Sequence, residues 1–238
     1  MTSAFIAGLD TPAGAYLARL LRARGYAVAG TARDGDAAQA MLATLGADEV
    51  SLVATPDEPA PREAYLLDGR VALADLWPTA RVFVAAGPHG DDGAAAAARA
   101  AGRFVVAGAL YGHASRLDPP DSLPLAVIAA VRDGRPVALP DRDVRHDLGW
   151  TPEYVDAMWR MLQAPVAADA VIASGFGLGG RDIALHAAEY FKRTPDLPPA
   201  GPAPPAELGD PAALAGLGWR AFTHGRELVR TLCEGFTA

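Results

Sequence analysis

Ala4-Phe-Ile-Ala-Gly-Leu-Asp-Thr-Pro-Ala-Gly-Ala-Tyr-Leu-Ala-Arg-Leu-Leu-Arg-Ala-Arg-Gly-Tyr-Ala-Val-Ala-Gly-Thr-Ala-Arg33 changes its apolar period twice. A short apolar run from Ala4 to Ala7 ends at Gly8, and after a turn Leu17, Leu20 and Leu21 fall at helical spacing. Gly25 stops that helix, and Tyr26 to Thr31 resumes a strand pattern. The order is strand, glycine turn, helix, strand. Such a unit points the positive helix N-terminus and its N–H groups at whatever lies over Gly8 to Gly14, a geometry suited to an anionic pyrophosphate.

The rest of the chain repeats the alternation. Asp36 to Leu45 reads as a second helix ended by Gly46, with Val50 to Ala54 as a third strand. Thr55 to Pro61 is a proline-rich loop, Arg62 to Trp77 a weak helical piece, and Arg81 to Ala86 a continuous apolar run suited to a buried parallel strand. Gly87 to Gly93 is a loop, the alanine-rich Ala94 to Ala101 is helical, and Phe104 to Ala107 opens a fifth strand that ends at Leu110-Tyr-Gly-His113. This alternation implies an α/β, Rossmann-type, doubly wound parallel sheet. Three prolines make Arg116 to Pro124 irregular; Leu125 to Arg132 is a helix, Val137 to Leu139 a short strand, and Thr151-Pro-Glu starts a long amphipathic helix. Ala170 to Ala173 is a sixth strand, Arg181 to Lys192 a helix, Pro195 to Pro205 a connector, and a last helix lies near Phe222 to Phe236.

With 238 residues, half of them hydrophobic, the chain can bury a large core. Its net charge of −7 and pI near 5.2 argue against nonspecific binding to nucleic acid or anionic membrane. Cys233 is the only cysteine, which leaves no internal disulfide and no cysteine-based metal site. There is no basic leader and no apolar run of membrane-spanning length, so the expected location is the cytoplasm.

Among chemistry-bearing residues, Gly8-x-x-Thr11-x-x-Gly14 gains weight from its place after a strand and before a helix; the bare pattern also describes a tight turn with no ligand. Gly8, Thr11, Pro12 and Gly14 are its cofactor-binding candidates, with Thr11 setting a β-branched side chain where backbone would approach a pyrophosphate. Arg33 stands where an acidic residue would bind a ribose hydroxyl. An arginine there favours a 2′-phosphate, hence NADP over NAD, or is a solvated residue beside Asp34 and Asp36. His89, His113, His146, His186 and His224 lack ligand spacing, so no metal is expected. Tyr111 is a conceivable general acid, although a phenol titrating near 10 serves poorly at neutral pH. Arg142, Arg145 and His146 suit a clamp on a nucleotide diphosphate; the interleaved Asp141, Asp143 and Asp147 favour a self-neutralised surface turn.

The opening unit resembles the cofactor end of the extended short-chain dehydrogenase/reductases, in particular the GDP-mannose 4,6-dehydratase branch. Arg103-Phe-Val-Val-Ala-Gly-Ala-Leu-Tyr-Gly112 resembles that branch's fifth strand. His146-Asp-Leu-Gly-Trp-Thr-Pro-Glu-Tyr-Val-Asp-Ala-Met-Trp-Arg-Met-Leu-Gln163 resembles its Asp-Trp-Gly segment and following helix. Val171-Ile-Ala-Ser-Gly175, Arg181, Leu208-Gly-Asp-Pro211 and Leu217-Gly-Trp219 also match. The resemblance implies a nucleotide-sugar ligand, with Arg145, His146 and Arg181 as substrate-binding candidates, and a reduced C-terminal substrate-binding lobe. Residues 1–112 with 140–175 would form the dinucleotide-binding core, and 113–139 with 176–238 the interleaved lobe.

The departures bear on activity. The family's turn is Gly-x-x-Gly-x-x-Gly, with Thr11 here at the middle position. Its catalytic tyrosine and lysine stand four apart on one helix, where the lysine lowers the tyrosine pKa. Lys192 is this chain's only lysine, Ala188 holds the partner position, and no Tyr-x-x-x-Lys exists. Ala107, Gly108 and Ala109 replace the small hydroxyl residues, the nearest hydroxyl being Ser115. Between Gly112 and Leu125 there is no room for the catalytic helix, since about 15 helical residues span about 22 Å. A rival registration sets Leu110 to Ser115 on a later Leu-Phe-Asn-His-Glu-Ser segment and removes the same residues. The expected protein is a catalytically degenerate binder of a dinucleotide, a nucleotide sugar or a dehydratase partner, with a homo-oligomer possible through Ala94 to Ala101. The alternative is an active NADP-dependent dehydratase or epimerase that uses non-standard residues such as Tyr111.

Overall fold

The computed structural model describes residues 2–56, 60–69, 71–87, 94–139, 143–201 and 204–237. His89, Asp141 and Arg142 lie outside them. Through Leu110 the elements are β1 (Ser3–Ala7), α1 (Pro12–Ala23), β2 (Ala27–Thr31), α2 (Gly35–Thr44), β3 (Ser51–Leu52), β4 (Glu63–Leu66), β5 (Arg81–Ala86), α3 (Ala94–Ala100) and β6 (Val105–Leu110). They continue with β7 (Gly112–Ala114), α4 (Leu123–Asp133), β8 (His146–Trp150), α5 (Thr151–Gln163), β9 (Ala170–Ile172), β10 (Gly177–Leu178), α6 (Gly180–Phe191), α7 (Ala212–Ala215) and α8 (Gly225–Glu234).

Two compact units result. The first comprises 1–110, 154–172 and 212–219; the second comprises 111–153, 173–211 and 220–238. This differs from the division read in the sequence. Residues 143–153 join the second unit because β8 pairs with β7 and β10 and not with the central sheet, and 212–219 return to the first, where α7 packs on β9.

In the first unit seven parallel strands run in the order β3-β2-β1-β4-β5-β6-β9. The order reverses direction between β1 and β4, the topological switch of a doubly wound sheet. Helix α1 forms because Leu17, Leu21 and Ala18 recur on one face and are buried there. Arg22 complements its last turn, and Gly25, at φ +81°, ends it. Over the sheet, Phe5, Leu66, Trp77, Val82 and Val105 form one apolar cluster.

The segment read as a weak helix over Arg62 to Trp77 is instead strand β4 followed by a single 3₁₀ turn at Leu73–Asp75. β4 is paired on both sides, and its four residues are buried, Glu63 among them. The Glu63 carboxylate accepts hydrogen bonds from the Tyr26 hydroxyl (3.0 Å), the Tyr65 hydroxyl (2.8 Å) and the Gln163 amide (3.0 Å). Three donors make burial of that carboxylate tolerable. Burial and the adjacent carboxylate push the Tyr65 phenol well above its ordinary value.

The second unit holds the three-stranded sheet β10-β8-β7. Against it α4, α6 and α8 bury Leu125, Ile128, Ile183, Ala184, Leu228 and Leu232. Cys233 lies in this core, and burial pushes its thiol up to about 12, so it packs as an inert apolar residue. The expected strand over Val137 to Leu139 is absent; Pro136 removes a donor, and Val137 N–H makes a single bond to the Asp196 carbonyl. The third strand is also shorter than expected. Among the described residues no helix is long and apolar enough to cross a membrane, and no cluster of three metal-ligating side chains occurs.

Candidate functional site

Strand β1 delivers the chain to its turn at the topological switch, where open α/β sheets take ligands. Gly8 has φ +102°, and its N–H and that of Leu9 donate to the Thr31 carbonyl at 3.0 and 2.9 Å. Gly14 approaches this turn so closely that a Cβ there would stand 2.0 Å from the Gly8 carbonyl oxygen. No side chain fits at position 14 without moving backbone. Thr11 is the N-cap of α1: its hydroxyl accepts the Gly14 N–H at 3.0 Å and donates to the Gly8 carbonyl at 2.7 Å. Its polar end is therefore turned into the loop. Pro12 at the first helical position brings no N–H, so both residues reduce the donors that a helix N-terminus offers an anion.

Two carboxylates that the sequence reading passed over complete this crevice. Asp10 accepts the N–H groups of Arg33 (3.0 Å) and Asp34 (3.2 Å), which fixes the end of β2 beside the turn. The Arg33 side chain is exposed there. Asp68 lies against the turn, since a Cβ on Gly8 would be 3.2 Å from the Asp68 Cβ. The signal that could have found Asp68 is the Asp-Gly pair after the short apolar run Ala64 to Leu67.

In the second unit the three substrate-binding candidates are engaged separately. Arg145 makes a bidentate ion pair with Asp182, both contacts at 2.8 Å. Burial raises the Asp182 pKa, but the bonds from Arg145 and the Gly179 N–H outweigh it and leave the carboxyl below its ordinary value. His146 stands 3.6 Å from Glu207, and the Arg181 guanidinium donates to the Pro198 carbonyl. The N-terminus of α6 is already capped by Asp143, which accepts the Gly180 and Arg181 N–H groups at 2.6 and 2.9 Å.

The expected surface turn is corrected at Asp147, which is 1% exposed. Its carboxylate accepts from Ser174 N–H (2.7 Å), Ser174 hydroxyl (2.8 Å), Gly175 N–H (2.8 Å) and Gly209 N–H (3.2 Å). These bonds tie the loops at 174–175 and 209 to β8 in one arrangement. Gly209 is the bed for Tyr111: a Cβ there would meet the tyrosine ring at 2.8 Å. Tyr111 is half-buried, and Lys192, the only lysine, is exposed at the C-cap of α6.

No protein-family model matches the sequence. Among solved structures, dTDP-glucose 4,6-dehydratase from Bacillus anthracis, determined with NAD, superposes with a TM-score of 0.79 at 8% identity, covering 100% of this chain and 97% of that one. UDP-glucose 4-epimerase from Thermotoga maritima, determined with UDP-glucose, gives 0.75 at 12% identity over 99% of each chain. The NAD complex of UDP-glucose 4-epimerase from Thermus thermophilus gives 0.68 at 15%, covering 100% of this chain and 99% of that one. The chain thus has the Rossmann-like α/β fold shared by these sugar-nucleotide dehydratases and epimerases.

Proposed function

We propose that this protein is a cytoplasmic, GDP-mannose 4,6-dehydratase-like binder of NADP and a nucleotide sugar that has lost dehydratase catalysis and acts by binding, to a ligand, a second copy or a dehydratase partner. The observation that carries the reading is the path out of β6. From Leu110 the chain makes only β7 and the turns of residues 115–122 before α4, so no helix is available for an acid/base pair. The end of β6 is also stripped of hydroxyls, and Gly108 cannot regain one in place: a Cβ there would stand 2.5 Å from the Phe83 ring. No Tyr-x-x-x-Lys pair exists in the chain, so the lysine-assisted proton transfer that the resemblance implies has no counterpart here.

The crevice at β1 supports the binding half. Its left-handed Gly8, the close approach of Gly14 to the Gly8 carbonyl that keeps the turn tight, and the fixed end of β2 fit a dinucleotide. Gly8, Thr11, Pro12 and Gly14 would line its pyrophosphate, and Arg33 would reach a 2′-phosphate. NADP, when bound, supplies a nicotinamide that accepts and returns hydride. The chain's own residues hold and orient it. Calorimetric titration of the full chain with NADP, NAD and GDP-mannose tests the reading. Binding of NADP and GDP-mannose is expected, with NADP tighter than NAD and Arg33→Ala removing that preference. Absence of any binding at millimolar ligand contradicts it.

A further inference from the structure

The ladder between β1 and β2 ends at the Ala7–Thr31 pair, where the Gly8 and Leu9 N–H groups donate to the Thr31 carbonyl. Those are backbone bonds, open to almost any side chain. Arg33 lies two positions past them, and there the tie to the turn comes from a side chain: Asp10 Oδ2 accepts the N–H groups of Arg33 at 3.0 Å and Asp34 at 3.2 Å. One carboxylate oxygen thus carries the geometry of the glycine turn to two residues beyond the strand.

Those two residues suit a ribose in opposite ways. A guanidinium favours a 2′-phosphate, whereas a carboxylate favours the free 2′-hydroxyl. Asp34 is engaged as the N-cap of α2, its Oδ1 accepting the Ala37 N–H at 2.9 Å. Arg33 is left with an exposed side chain on a fixed backbone. Fixing the backbone beforehand removes an ordering cost from binding, so it favours the ligand that the guanidinium reaches. The charge of Asp10 acts the other way, against an anionic phosphate. The two effects have opposite signs and can be told apart.

We infer that Asp10 is a positioning residue for dinucleotide selectivity: by holding the Arg33–Asp34 backbone it presents Arg33 to a 2′-phosphate and keeps Asp34 at its cap. This deepens the NADP reading and rests on it. Calorimetry of the full chain with NADP and NAD tests it, on the wild type, Asp10→Ala, Asp10→Asn, Arg33→Ala and the double variant Asp10→Ala/Arg33→Ala. The ratio of the two affinities is read within each protein, so a general loss of folded material cancels. Asp10→Ala is expected to lower the NADP-over-NAD ratio about fivefold, the scale of ordering one long side chain. Asp10→Asn, whose carboxamide oxygen still accepts both N–H groups, keeps the wild-type ratio or exceeds it. On the Arg33→Ala background, Asp10→Ala changes the ratio no further, because Asp10 acts through Arg33. A ratio unchanged or raised in Asp10→Ala, the latter being the result of simple charge repulsion, overturns the inference and leaves the NADP reading standing. So does a fall in Asp10→Asn equal to that in Asp10→Ala, or a further fall on the Arg33→Ala background. A wild type that binds NADP no tighter than NAD overturns the NADP reading and the inference together.

Discussion

Two strand ends in the same parallel sheet have fared differently. At the end of β1, Gly8, Thr11 and Gly14 form a closed turn in which each residue has a stated job: a left-handed backbone, a cap and a close approach. At the end of β6, Ala107, Gly108, Ala109 and Leu110 keep the strand and its packing on Phe83 but carry no group that moves a proton. Fold and chemistry separate here. The residues that make the turn tight are the same ones that let β1 pass into α1, so losing them costs the fold; the residues that perform acid/base work cost the fold nothing when lost.

Four substitutions or conditions break or sharpen this contrast. Asp147→Ala strikes the bed of Tyr111 and leaves the donors of Ser174, Gly175 and Gly209 buried without their acceptor. A loss of about 4 kcal/mol in urea unfolding is expected, several charge-assisted bonds being removed together. Gly14→Ala strikes the turn itself; with a Cβ 2.0 Å from a carbonyl oxygen, about 3 kcal/mol should be lost, together with NADP binding in calorimetry. Thr11→Gly removes a cap at a cost of a few tenths of a kcal/mol. It frees the Gly14 N–H, so NADP affinity should rise about threefold, an order-of-magnitude figure for one added donor.

The smallest effect concerns pH. His113 in β7 hydrogen-bonds the Thr151 hydroxyl at 3.1 Å, and burial holds it below the ordinary histidine value of 6.5, with Asp118 opposing weakly. Above that value both folded and unfolded chains carry a neutral imidazole. As pH falls below it, the unfolded chain takes up a proton first, so stability declines from about pH 6.5 toward the lower folded value. Urea midpoints of the wild type should drop over that range more steeply than those of His113→Asn.

Much of the first unit was legible because its signals are local. The apolar runs of β1, β5 and β6, the spacing of α1 and its glycine stop all lie within short windows. β4 was missed because Glu63 interrupts its apolar pattern, and the groups that neutralise that interruption, Tyr26 and Gln163, are 37 and 100 residues away. Asp147 was misread for the same reason. Six titratable side chains in seven positions read as surface, whereas its donors come from 27 and 62 residues further on. At the candidate site, placement between strand and helix nominates Gly8, Thr11, Gly14 and Arg33, whereas the inward turn of Thr11 and the positions of Asp10 and Asp68 follow only from the packed loops. The Phe176–His224 ring stack brings together residues 48 apart in sequence, a pairing without a sequence pattern.

The central claim is that binding has outlived catalysis. Incubating the full chain with GDP-mannose and NADP, and following a 4-keto-6-deoxy sugar nucleotide by mass spectrometry, tests it most directly. The account predicts no product above a protein-free control; turnover well above that control contradicts it.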